Sequence, residues 1–218
     1  MAAEDPAPTP STTSANPLME LLSAARRRPF DPDDDRPVIV FLCTGNAARS
    51  VMAAAMLKAR LGENSPFIVS SGGTHVLPGQ PMSVRTRRAL ERHGLTDPWH
   101  RSHQITETDV ERASLIVAME PMHVLWMNRH QPSGIPITGS LPRLAKELPL
   151  VAGTESESAV SRTMFDERVA SLHLGDGEPA AWADWEIIVD PASGEQVEFD
   201  KCSDVIDKLV SELHSAII

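Results

Sequence analysis

Apolar residues along the middle of the chain come in short blocks separated by polar, glycine-bearing joints. "PVIVFL" (37–42) is apolar throughout, the pattern of a strand buried on both faces. "FIVSSGG" (67–73), "SLIVAM" (114–119) and "IPITGS" (135–140) are three further candidate strands. The segments between them have helical character. An alanine-rich stretch follows Arg49, "MSVRTRRALERHG" ends at Gly94, "TDVERA" is a short capped turn, and "PMHVLWMNRH" carries Pro121 where a first helical turn accepts it. Farther on, a surface helix is expected near 157–172. The last segment, 198–217, sets Phe199, Cys202, Ile206, Leu209 and Leu213 three and four residues apart, one apolar stripe of a docked helix. Strand, loop and helix in repetition predict an α/β fold: a three-layer α/β/α domain on a four-stranded parallel sheet.

Residues 1–36 break this rhythm. They are rich in Pro, Ala, Ser and Thr, with a helix-compatible piece ending in Arg26, Arg27 and Arg28, and read as a disordered leader before a domain spanning 37–218. No apolar run is long enough to span a bilayer and no secretory signal pattern opens the chain, so no membrane partner and a cytoplasmic location are expected. The formal net charge is −10 with no long basic patch, which argues against nucleic acid and requires any phosphate-like ligand to find a local positive pocket. The 2 cysteines, Cys43 and Cys202, are expected to be free thiols, Cys202 as a small core residue.

Cys43 sits where the first strand hands over to a loop, the end of an α/β sheet at which ligands bind. Successive backbone N–H groups closed by a helix start form an anion nest, and the same field favours a thiolate. Arg49, six residues on, can fork two donors onto one oxyanion. Gly45 and Asn46 suit a tight loop backbone, and Ser50 follows the arginine. The arrangement fits phosphate, or a mimic of it, held over a sulfur nucleophile. No Walker-type phosphate loop is present.

"VFLCTGNAARS" resembles the signature of the low-molecular-weight protein-tyrosine phosphatases and of the arsenate reductases that share their fold, and the resemblance runs in order from 37 to about 215. It implies that Cys43 attacks phosphorus, that the backbone of Thr44, Gly45, Asn46, Ala47 and Ala48 together with Arg49 and Ser50 binds the oxyanion, and that Asp190, before Pro191, is acid and then base. Asp31-Pro32 and Asp97-Pro98 lie in the wrong places for that role. It also implies a brace for the loop from Asn46, Ser50, Ser71 and His100. No cofactor is implied. No histidine or cysteine spacing marks a metal site.

Some positions depart from the family pattern. Ala48 stands where many relatives carry a second cysteine that can protect the nucleophile as a disulfide. Val51 replaces a proline, as on the reductase branch, yet "SLIVAMEPMHVLWMNRH" lacks the extra cysteines that thioredoxin-coupled reductases use. With 0 tyrosines in the chain, the ring-stacking residues usual after Asp-Pro are missing from "DPASGEQ", and "GGTHVLPGQP" offers only His75. Trp182 and Trp185 are substitutes for that wall, and Ala47 does not favour phosphoarginine. The expected function is a cysteine-dependent phosphatase acting on a phosphorylated protein or small phosphomonoester through a phosphocysteine. The alternatives are arsenate reduction with a small-thiol partner, or a non-catalytic oxyanion-binding module.

Overall fold

A computed structural model describes residues 34–151, 160–175 and 184–218. The expected leader lies almost wholly outside them, as do Arg26, Arg27, Arg28 and Trp182. The elements run β1 (Val38–Cys43), α1 (Arg49–Leu61), β2 (Ile68–Gly73), α2 (Val84–Arg92), α3 (Glu107–Arg112), β3 (Leu115–Ala118), α4 (Pro121–His130), β4 (Thr138–Ser140), α5 (Leu141–Glu147), α6 (Arg162–Ala170) and α7 (Gln196–Ile217). The sheet order is β2-β1-β3-β4 with every pair parallel, so all four strands end on one side.

β1 is buried along its whole length and β3 likewise, as their uninterrupted apolar runs require of central parallel strands. β2, at an edge, buries only Val69 of the four residues before its two glycines. Ser83 caps α2, which stops at His93 before Gly94 at φ 72, and Thr106 closes a capping box on α3 with Asp109. α7 lays Phe199, Cys202, Ile206, Val210 and Leu213 into the core, while Leu209 is only partly buried. The expected stripe was therefore one residue off in its middle: a 22-residue helix at 3.6 residues per turn drifts onto Val210.

Other differences also have local causes. Pro136 places residues Pro132–Ile137 in a 3-10 turn and shortens β4 to three residues. The helix expected near 157–172 is described only as Arg162–Ala170, and it buries Phe165 and Val169 rather than lying on the surface; Phe165 meets Phe67 edge-on at 5.0 Å. Helix α5 was not foreseen, because "LPRLAKE" is too short to show a period, although Ser140 caps it and Pro142 suits its first turn. Among the described residues no helix is long and apolar enough to cross a membrane.

Candidate active site

The loop joining β1 to α1 is built by turning its carbonyls outward. Thr74 N–H donates to the Cys43 carbonyl (2.9 Å), His75 N–H to Thr44 (2.9 Å), His100 Nε2 to Asn46 (2.8 Å) and the Thr86 hydroxyl to Ala47 (2.9 Å). In a planar trans peptide the N–H of the next residue points opposite to the carbonyl, so the N–H groups of Thr44, Gly45, Ala47 and Ala48 turn the other way. Ala48, the N-cap of α1, offers no side-chain cap, which leaves the helix's first donors for a ligand.

Asn46 is the keystone. It is fully buried at φ 49, the left-handed region that Asn tolerates better than most residues. Its Nδ2 donates to Ser50 Oγ (3.1 Å) and Ser71 Oγ (2.9 Å), and its Oδ1 accepts from His103 N–H (2.8 Å). Of Gly45 and Asn46, both expected to suit the tight loop backbone, only Asn46 lies in the left-handed region, and a Cβ on Gly45 would meet nothing within 4 Å. Gly73 is the glycine that matters. A Cβ on it would come within 2.6 Å of the Thr44 carbonyl and 2.9 Å of Asn46 N.

Cys43 is 3% exposed, with Sγ 3.0 Å from Ser50 Oγ. Because Ser50 Oγ accepts from Asn46, its own proton is available to the sulfur, with the Gly72 carbonyl at 3.3 Å as the other acceptor. Arg49 is 1% exposed: Nη1 donates to Glu120 Oε1 (2.7 Å) and the Ile188 carbonyl (3.0 Å), and Nη2 to Asp190 Oδ2 (2.6 Å). Asp190, 141 residues downstream, is thus brought to the same guanidinium. Ser71 and His100 reach the loop through Asn46, and burial lowers the His100 pKa below the usual histidine range despite the hydrogen bond to the Asn46 carbonyl.

Sequence reasoning missed Glu120, His123, Thr86, Gly73 and Trp126. Glu120 comes two residues after β3 ends at Ala118, near the strand end where site residues gather, and that was the available signal. Buried His123 places Nε2 3.0 Å from Thr44 Oγ1 and 3.4 Å from Glu120 Oε1. Burial, helped by Arg49 and His75, pushes its pKa down to about 3, so it stands neutral. Trp126, one turn farther along α4, meets His75 edge-on at 6.2 Å and stacks on His130 at 4.7 Å. Trp126 is thus linked to the loop through His75, whose N–H holds the Thr44 carbonyl, and comes from an element other than the expected ones. Trp185 instead lies beneath the Lys146 ammonium, 5.0 Å from its ring centre. Both cysteines are free, and burial raises the Cys202 pKa to about 12.

The model of the family described as low molecular weight phosphotyrosine protein phosphatase matches residues 38–132. A probable low molecular weight protein-tyrosine-phosphatase EpsP of Ralstonia nicotianae is 33% identical over 108 residues, 50% of this chain and 70% of that protein. The chain belongs to the low molecular weight phosphotyrosine protein phosphatase family. Family membership makes it a cysteine-dependent phosphatase, a hydrolase. Another relative, the protein-arginine-phosphatase of Geobacillus stearothermophilus, is 35% identical over 86 residues, 39% of this chain and 55% of that one. The family fold recurs in solved structures. The YwlE arginine phosphatase from Geobacillus stearothermophilus aligns with TM-score 0.59 at 24% identity over 82% of this chain and 91% of that chain. The Erwinia amylovora tyrosine phosphatase amsI aligns with TM-score 0.60 at 20% identity over 82% and 91%.

Proposed function

We propose that the chain hydrolyses phosphomonoesters on protein side chains through a phosphocysteine, with Cys43 as nucleophile, Arg49 and the loop N–H groups as the oxyanion cradle, and Asp190 as acid and then base. The observation that carries this reading is the convergence on Arg49: the Cys43 loop leads into it, and Asp190 reaches its guanidinium at 2.6 Å. The sulfur attacks phosphorus in line. As the S–P bond forms, the P–O bond to the leaving group breaks, and Asp190 gives that oxygen its proton. Asp190 suits this role as the more exposed of Arg49's two carboxylate partners, with 43% of its side chain accessible against 21% for Glu120. Water then attacks the phosphocysteine, Asp190 accepts its proton, and the S–P bond breaks with the Ser50 hydroxyl supporting the departing sulfur. Arg49 and the cradle N–H groups carry the charge on the three equatorial oxygens throughout.

The Trp126–His75 pair, joined to the loop where His75 N–H holds the Thr44 carbonyl, favours a ring-bearing phosphate ester such as phosphotyrosine, since it adds aromatic surface there. Arsenate reduction and plain anion binding find no favouring observation, and the relatives reported above are named phosphatases.

The test is burst and steady-state hydrolysis of p-nitrophenyl phosphate in reductant. Wild type turns over, Cys43→Ser does not, and Asp190→Ala loses roughly 10²- to 10⁴-fold in phosphoenzyme formation. Turnover that survives Cys43→Ser would sink the mechanism. Phosphotyrosine and phosphoarginine peptides, compared by kcat/KM, decide the substrate; preference for the guanidine phosphate would remove the ring-wall argument.

A further inference from the structure

Asp190 lies on a segment with no strand or long helix of its own: a 3-10 turn at Asp184–Glu186, then extended chain to Pro191. Something outside the segment must fix where its carboxylate sits, and Glu186, Ile188 and Val189 are each tied to other elements. Ile188 N–H donates to the Met119 carbonyl at the end of β3 (3.0 Å), and the Ile188 carbonyl accepts from Arg49 (3.0 Å). The Val189 carbonyl faces Cys202 Sγ on α7 at 3.6 Å.

The strongest tie is at the start. Glu186 is 1% exposed, although glutamate is among the residues least often buried. Its Oε2 accepts from Ser140 Oγ (2.7 Å) and Arg143 Nε (3.2 Å), and its Oε1 accepts from Arg143 Nη2 (2.9 Å), a bidentate fork closed by a hydroxyl. The same contacts raise the Arg143 pKa, chiefly through the hydrogen bond to Glu186. Next to it, Trp185 packs under Lys146. Arg143 and Lys146 are i and i+3 on α5, so one face of this short helix grips two consecutive residues of the segment. A buried carboxylate is costly unless paired and hydrogen-bonded, and here the pairing ties the segment to the end of β4 and to α5. What it does fix is the point from which the chain reaches Asp190, four residues on.

We infer that Glu186 and Arg143 are positioning residues: helix α5, through this fork, sets the placement of the Asp190 carboxylate and hence the efficiency of leaving-group protonation. This rests on Asp190 acting as the acid. The signature is a leaving-group dependence, since a poor leaving group needs the proton and a good one does not. For Glu186→Gln and Arg143→Met, kcat/KM should fall roughly ten- to hundredfold with phenyl phosphate and less than about threefold with 2,4-dinitrophenyl phosphate. Tungstate affinity, which reads the loop and Arg49 without protonation, should stay within about threefold of wild type.

Arg143→Lys, which keeps the charge and loses the fork, gives the same pattern at smaller amplitude and serves where the other variants do not fold. Equal losses with both substrates, or no loss with phenyl phosphate, would overturn the inference. If Asp190→Ala itself shows no leaving-group dependence, the acid assignment fails instead, and the two failures are told apart.

Discussion

The two halves of the proposed catalytic machinery are held by different physics. The Cys43 loop is contiguous, buried, and braced mostly by neutral hydrogen bonds from β2, α2 and the stretch around His100. The Asp190 segment comes from far along the chain, is more exposed, and is anchored by charge pairs, to Arg49 directly and to Arg143 through Glu186. A cradle that must present several N–H groups to one anion needs rigidity. A carboxylate that serves first the leaving oxygen and then water needs a fixed base and a movable tip. The contrast predicts that damage to the loop removes binding and chemistry together, whereas damage to the segment removes proton transfer and spares anion binding.

Gly73→Ala should break the first half most severely. The added methyl would press on backbone, the Thr44 carbonyl and Asn46 N, as well as on Val76 Cγ2 at 2.5 Å, and backbone cannot yield as a flexible side chain would. The expected outcome is a loss of roughly hundredfold or more in kcat/KM and a parallel loss of tungstate affinity. A variant with normal tungstate binding would show that the loop tolerates displacement.

Asn46→Ala comes next. It removes two donors and one acceptor at a fully buried position and leaves Ser50, Ser71 and the His103 N–H each short of a partner. Destabilisation of about 2–4 kcal/mol is expected from urea unfolding, since buried groups left unpaired cost more than the bond they lose. The Ser50 hydroxyl also loses its orientation toward Cys43, so the second step, release of phosphate from sulfur, should slow more than the first. A burst unchanged in amplitude and decay would argue that Ser50 is oriented by the Gly72 carbonyl instead.

The same contrast explains what could be read in advance. The loop was legible because its chemistry lies within a few residues, and spacing alone places Cys43, Asn46, Arg49 and Ser50 near one another. The sheet was legible because central parallel strands are apolar end to end. Asp190 became a candidate only through family resemblance, as Asp-Pro is a common turn. Glu120 is marked only by its place just past β3 and His123 by nothing local, and their proximity to the loop depends on β3 lying beside β1. Thr86 looked like an ordinary helix residue until α2 packed over Ala47. The left-handed position in the loop belongs to Asn46, whose side chain is too useful as a brace to be exchanged for hydrogen.

His123 gives the mildest effect and the sharpest test of how the loop is held on the α4 side. The unfolded chain takes up a proton on this imidazole as the pH falls through about 6.5, whereas the folded chain resists until near 3. Between those values the unfolded state binds the extra proton, so stability is fully present above the upper value and is lost as the pH drops, by at most about 1.4 kcal/mol per pH unit. His100, also held below its usual range by burial, adds to the slope in the same direction. In His123→Asn the amide can still reach toward Thr44 and Glu120 but takes up no proton. Urea unfolding of wild type and variant from about pH 7.5 to about pH 5 should therefore show a steep fall in the first and a shallower one in the second. Equal slopes would shift the acid sensitivity to His100 or to His214, whose pKa burial also lowers. Repeating the measurement in His100→Asn would then separate the two histidines. A slope that persists in both variants would place the acid sensitivity outside His123 and His100, with His214, whose pKa burial also lowers, the next histidine to replace.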